Sequence, residues 1–299
     1  MNATPNVGAP RVVLDGLAFV ESARWHQGRL WFAHWSVGEI IATDLDGHSE
    51  VMAPGRPALG WSIDWLPDGR LLVTGESLLR QEPDGSFVPH ANLTGVARHN
   101  WNEIVVDHHR GNLYLNGADT SDLLAGQFPP PGIIALVAPD GTARRVAEDI
   151  HFPNGMIITP DGSTLIVAES VAGRLTAFDI HPDGSLINRR IWAEGIGPDG
   201  ICIDAEGAIW TGAADVRAMS GRNTDPGGAV VRVREGGQIL DRIEFDRPGF
   251  SYALGGPNGR TLFIVGQHWR GFEHVDALVA DRTGQVLCID VDTPSAGHP

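Results

Sequence analysis

His151-Phe152-Pro153-Asn154-Gly155-Met156-Ile157-Ile158-Thr159-Pro160-Asp161-Gly162-Ser163-Thr164-Leu165-Ile166-Val167-Ala168 reads as a polar lead-in, a buried strand, a tight turn and a returning strand. The apolar run before Pro160 suits a strand covered on both faces, and Pro160-Asp161-Gly162-Ser163 supplies the turn that reverses it. Asn154 stands at the entrance of this hairpin. Copies of the unit begin at Glu21, Trp61, Asn102, Asn154, Asp199 and Ser251 and reach turn glycines at Gly28, Gly69, Gly111, Gly162, Gly207 and Gly259, offsets of 7, 8, 9, 8, 8 and 8 residues.

A second strand follows each turn glycine, as in Arg70-Leu71-Leu72-Val73, and two weaker strands follow in most copies. Four strands per unit at a period of roughly 40 to 50 residues is the signature of a propeller blade. The six copies predict an all-β, six-bladed β-propeller with four antiparallel strands per blade. Arg11-Val12-Val13-Leu14-Asp15 precedes the first copy as Ala143-Arg144-Arg145-Val146-Ala147 precedes the fourth, so the N-terminal strand is expected to pair into the last blade and close the ring. A soft prior of about 100 to 200 residues per domain would divide the chain in two. Ring closure instead predicts one domain over 1–299, with 1–10 and 292–299 as flexible tails.

Composition agrees with many short strands. The 299 residues include 38 Gly and 20 Pro, 42% hydrophobic and 20% charged residues. The net charge of −15, with no basic cluster, disfavours nucleic acid and anionic membrane surfaces as partners and is compatible with a cation. Cys202 and Cys288 lie in apolar strand-like runs without CxxC spacing and read as buried apolar side chains. No basic segment followed by an apolar one opens the chain, and no apolar run approaches membrane-spanning length, which predicts a soluble cytoplasmic protein.

Equivalent positions of a closed ring sit at one height around its axis, so Glu21, Trp61, Asn102, Asn154, Asp199 and Ser251 converge. The oxygen donors among them suit a divalent cation, which would offset the repulsion of two nearby carboxylates. An all-oxygen set with an amide carbonyl favours Ca²⁺, with Mg²⁺, Mn²⁺ or Zn²⁺ tolerated. The bland reading of Asn154-Gly155 and Asp199-Gly200 is that each is a common turn pair.

Glu21 before Ala23-Arg24-Trp25, Phe152-Pro153-Asn154-Gly155 and Gly197-Pro198-Asp199-Gly200 together resemble the six-bladed propeller hydrolases that include gluconolactonase, regucalcin and luciferin-regenerating enzyme, over residues 11–291. The resemblance implies that Glu21, Asn154 and Asp199 bind one divalent metal, that Asp199 also serves as catalytic base, and that Asn102 contacts substrate. The family often shows Arg-x-Asn-Asp in the third blade, whereas this chain has Asn100-Trp101-Asn102-Glu103, with Arg98 two residues further back. The departure bears on aldonolactone preference and leaves the metal ligands untouched.

The expected activity is metal-dependent opening of a small lactone ring, with Asp199 activating water. A phosphotriesterase-like hydrolase or a non-catalytic metal-binding propeller are the alternatives. No Gly-x-Ser-x-Gly elbow supports a serine route. Asn100, Trp101, Asn102, Tyr252, His268 and His34 are the candidate substrate contacts, Trp61 and Phe152 add to an apolar wall, and Trp25, Trp65 and Trp210 are assigned to the core. Insertions at 118–131 and 214–228 are candidate coverings or lids on the same rim.

Overall fold

The computed structural model describes residues 9–123, 127–213 and 227–297. Six four-stranded antiparallel sheets form a propeller. The innermost strands are Phe19–His26, Ile63–Trp65, Glu103–Asp107, Pro153–Ile158, Ile201–Ile203 and Gly249–Gly255, and each opens a sheet that runs outward in chain order. The exception is the last blade, whose outer strand is Arg11–Leu17, paired antiparallel with Gly284–Asp290. The two ends of the chain thus share one sheet, which removes the edge an open array would expose.

The strands fold this way because their inner pairs are apolar on both faces. Val105, Tyr114 and Ile134 of the third blade pack against Met156, Leu165 and Val167 of the fourth in one buried cluster, and comparable wedges fill the other joints. The outer strands are half-solvated, as in the exposed and intermediate pattern of Ala143–Ile150. Trp25 stacks on Phe263 at 5.3 Å, Trp65 meets Trp31 edge-on, and Trp210 is fully buried, so all three serve the core as expected. Cys202 and Cys288 are buried and unpaired.

Two features differ from expectation. Residues 292–296 are no loose tail. Ser295 bridges Asp204, the Ala205 N–H donates to the Pro294 carbonyl at 2.8 Å, and the Ser295 N–H donates to Gly259, so this segment ties the fifth blade to the sixth. The last blade also carries an insertion that the strand spacing did not disclose. Between Gly266 and Gly284 a 3₁₀ turn, Phe272–His274, leads into the short helix Val275–Asp281. No described helix is long and apolar enough to cross a membrane.

Candidate active site

The Asn-Gly and Asp-Gly pairs are not turns. A Cβ on Gly155 would lie 2.7 Å from the Ile201 nitrogen and 2.8 Å from the Asp199 oxygen, and one on Gly200 would lie 2.8 Å from the Phe250 oxygen. These glycines let neighbouring innermost strands meet at the axis. There the Gly155 N–H donates to Asp199 at 3.1 Å and the Gly200 N–H to Phe250 at 2.8 Å. On the other side of the ring hydroxyls make the link. The Ala23 N–H donates to Ser251 Oγ at 2.8 Å and the Ile63 N–H to Ser22 Oγ at 3.0 Å.

Glu21 and Asn154 sit at breaks in strand register. The first inner pair is interrupted between Glu21 and Arg24, and the fourth between Pro153 and Met156. Such bulges re-aim side chains where pairing stops. Ser22 and Phe152 take positive φ angles of 55° and 58° beside the two donors. The backbone leading to Asn154 is further anchored by buried Glu169, whose carboxylate accepts the His151 N–H at 2.8 Å and is held by Arg174 and Arg189. The Asn154 carbonyl accepts from Asn116 Nδ2 at 2.6 Å.

Glu21, Asn154 and Asp199 line one central cavity of about 130 Å³. Removal from water and the nearby Glu103 carboxylate push the Asp199 carboxyl up to about 8, opposed by a hydrogen bond from Asn154. Burial, then Asp199, then Glu103 drive Glu21 well above the ordinary range. Asp199 Oδ1 is buried with no hydrogen-bond partner. Two carboxyls that resist ionisation, an orphaned oxygen and an amide donor fit a divalent cation, whose charge would reverse both shifts.

Glu103 is itself buried and paired with Arg24 at 2.7 Å, and Arg24 also donates to the Ala23 and Ile104 carbonyls. This pair lies beside the donor set and was not singled out by sequence reasoning, although Glu103 stands where the resemblance leads one to expect Asp.

The predicted substrate contacts divide. Asn100 and Asn102 line the cavity, whereas exposed Arg98 lines a separate hollow on the rim with His99, so Asn100 occupies the side facing the donors. Trp101 is 1% exposed and packs with Leu93, Ile104 and Ile133. Tyr252 is 1% exposed and donates its hydroxyl to the Gly249 carbonyl at 2.8 Å. His34 is 1% exposed, accepts the Ala18 N–H at Nε2 and meets Glu39 at Nδ1. Trp61 is fully buried. His268 is half-buried, its backbone N–H bonded to Thr283 Oγ1. None of Trp101, Tyr252, His34, Trp61 or His268 is among the residues lining the cavity; each aromatic or imidazole among the first four is turned into the packing between strands.

Phe152 does line the cavity, and the rest of the apolar wall comes from residues the sequence did not mark: Phe19, Trp35, Leu59, Phe250, Trp269 and Phe272. The last two ride on the helical insertion. Of the first insertion, Ala118, Thr120 and Leu123 reach the cavity and Phe128 meets Phe152 edge-on at 6.5 Å, so this segment covers part of the mouth. The second, 214–228, lies outside the described residues except for its last two.

Among the described residues, the one cluster of three or more His, Cys, Asp or Glu close enough to share an ion is Asp44, Asp46 and His48, far out in a turn of the first blade. Asp44 Oδ1 there already accepts the Asp46 and His48 N–H groups, both at 2.9 Å, and Oδ2 meets His48 Nδ1. Its geometry is that of an Asx turn.

Residues 19–268 match the sequence profile of the SMP-30/gluconolactonase/LRE-like region. Over 291 positions the chain is 22% identical to a gluconolactonase of Zymomonas mobilis, spanning 82% of this chain and 77% of that one. A 6-deoxy-6-sulfogluconolactonase of Pseudomonas putida is 29% identical over 140 residues, covering 45% of this chain and 44% of the relative. The structure of regucalcin, a calcium-binding protein of Agrobacterium tumefaciens, superposes with a TM-score of 0.74 at 20% identity, covering 98% and 97% of the two chains, a likeness of fold. The chain belongs to the SMP-30/gluconolactonase/LRE-like family.

Proposed function

We propose that this protein is a metal-dependent lactonase whose catalytic centre is Glu21, Asn154 and Asp199. The observation that carries the reading is the orphaned Asp199 Oδ1, set with Glu21 in one cavity where both carboxyls resist ionisation. A structural role would have supplied each with an arginine, as Glu103 is supplied by Arg24. The names of the relatives, gluconolactonase and sulfogluconolactonase, support the reaction class.

A divalent cation held by the three side chains, with Ca²⁺ favoured by the all-oxygen donors, would supply a Lewis acid for the substrate carbonyl oxygen. Asp199 takes a proton from the attacking water as its oxygen bonds to the acyl carbon. The bond from that carbon to the ring oxygen then breaks, and the ring oxygen receives the proton, leaving an open-chain hydroxy acid that releases its carboxyl proton to solution. Asn154 favours the ionised form of Asp199 and offsets part of the rise caused by burial and Glu103. Asn102 and Asn100 line the same cavity, and their amides would hydrogen-bond the ester oxygens. The aromatic wall excludes bulk water from the reacting carbon.

The test is lactone ring opening followed by pH-stat titration, with and without chelator, in the wild type and Asp199→Asn. Activity lost on chelation, restored by a divalent ion, and reduced at least about a thousandfold by Asp199→Asn is expected. Turnover indifferent to both treatments would sink the reading.

A further inference from the structure

The cavity wall is most densely aromatic where the first and last blades meet. Phe19 stacks on Trp35 at 5.3 Å with planes 8° apart, Trp269 meets Phe19 edge-on at 5.8 Å, and Phe272 meets Trp269 edge-on at 4.8 Å. Phe250 completes the cluster against Phe19 and Trp269. These side chains come from the first and last blades, which are neighbours in the ring. Trp35 uses its indole N–H within the protein, donating to the Trp61 carbonyl at 2.7 Å, so it presents a ring face and no free donor. Opposite them the third blade contributes only Asn100, Asn102 and Thr120 as polar side chains away from the metal donors.

Among the described lining residues no Arg, Lys or His appears, and the ionisable ones are Glu21 and Asp199. Among the described residues a carboxylate, sulfonate or phosphate on the substrate would find no positive partner there, inside a protein of net charge −15. Several hydroxyls set against the aromatic faces would be stripped of water without replacement hydrogen bonds, which penalises binding strongly. An apolar substituent gains from the same faces. The volume of about 130 Å³ is comparable to a cavity of about 150 Å³ that takes up benzene, room for one five- or six-membered ring, and the cavity is open on one side for what that ring carries.

We propose, building on the lactonase reading, that the substrate is a lactone bearing an aryl or branched alkyl substituent, and that the face formed by Phe19, Trp35, Phe250, Trp269 and Phe272 selects it against polyhydroxylated sugar lactones. The ring ester sits between the metal donors and the amides of the third blade. The substituent lies on the aromatic face, and the helical insertion of the last blade sets how large it can be.

The full-length protein, supplied with Ca²⁺, is assayed on γ-phenyl-γ-butyrolactone, γ-butyrolactone and glucono-δ-lactone. Expected is a kcat/KM for the phenyl lactone at least about 30-fold above that for glucono-δ-lactone. Phe272→Ala and Trp269→Leu should each lower the ratio of phenyl to unsubstituted lactone by at least about fivefold. Equal or better turnover of glucono-δ-lactone overturns the proposal and leaves the lactonase reading standing. Opening of no lactone sinks the lactonase reading, and calorimetry then decides the ligand class with uncleaved lactams. Binding of 5-phenyl-2-pyrrolidinone at least about tenfold tighter than 2-pyrrolidinone, abolished by Trp269→Leu, supports an apolar ligand. Equal binding of the two lactams refutes it.

Discussion

Replacing Asp199 by Asn should make the metal-free protein more stable while removing its function. In the folded chain the Asp199 carboxyl is raised from 3.8 to about 8 by burial and by Glu103. In the unfolded chain it returns to the ordinary value. Between those values the unfolded state binds fewer protons than the folded one, so stability falls as pH rises through the window and levels off above about 8. At pH 7 the difference is about three pKa units, or about 4 kcal/mol at 1.4 kcal/mol per unit. Asp199 keeps some contact with the cavity and interacts with Glu21, so water and proton sharing reduce the gain to about 2–4 kcal/mol.

Asn has the shape of the protonated carboxyl and carries no charge, so it recovers this energy without a cavity. For a chain of this size the gain corresponds to a rise in Tm of about 3–6 °C. The assay is thermal unfolding in chelator at pH 7 and at pH 4.5, where the gain should shrink to about 1 kcal/mol because that pH lies only just above the ordinary value of 3.8 and little of the window has been crossed. Added Ca²⁺ should raise the Tm of the wild type and leave that of the variant nearly unchanged. A variant no more stable than wild type at pH 7, or a gain equal at both pH values, would refute the electrostatic account of the site.

Gly155→Ala should separate the donors without unfolding the ring, because its Cβ would collide with backbone at Ile201 and Asp199 rather than with a side chain that can rotate away. Calorimetry should show divalent-ion affinity at least about tenfold weaker, whereas Gly28→Ala, with nothing within 4 Å and a φ of 77°, should lower stability by about 1 kcal/mol and leave affinity alone. Arg24→Met strands Glu103 as an unpaired buried charge and should destabilise the fold by about 3–5 kcal/mol in urea titration, most of it recovered by adding Glu103→Gln. Failure of the second change to rescue would mean that Arg24 acts through its packing and carbonyl contacts instead.

The arithmetic of the repeat was enough to recover the architecture. An opening residue, polar in five copies and Trp61 in the other, an apolar strand and a glycine at nearly constant offset recur six times, and a strand buried on both faces with half-solvated outer neighbours has few ways to pack other than as a blade. The same register placed Glu21, Asn154 and Asp199 around one axis, and the cavity they share agrees with it. Register says which residues converge, however, and not which way each side chain turns. Trp101, Tyr252 and His34 occupy ring or rim positions in sequence, yet the first packs between strands, the second bonds to Gly249 and the third to Ala18. Trp269 and Phe272 carry no repeat signal because they belong to an insertion, and their distance along the chain from Phe19 hides a contact that ring closure makes local.

What the sequence determined by itself is therefore what is periodic: blade number, closure by the first strand, and the height at which oxygen donors collect. Only the tertiary structure decided what is not periodic. It showed that Gly155 and Gly200 serve close approach between strands rather than turning, that Glu103 is buried near enough to raise its neighbours, and that the wall facing the donors is aromatic. Those properties depend on distances between blades and on side-chain direction, which the order of residues in a repeat does not encode and the packing of six wedges around one axis does.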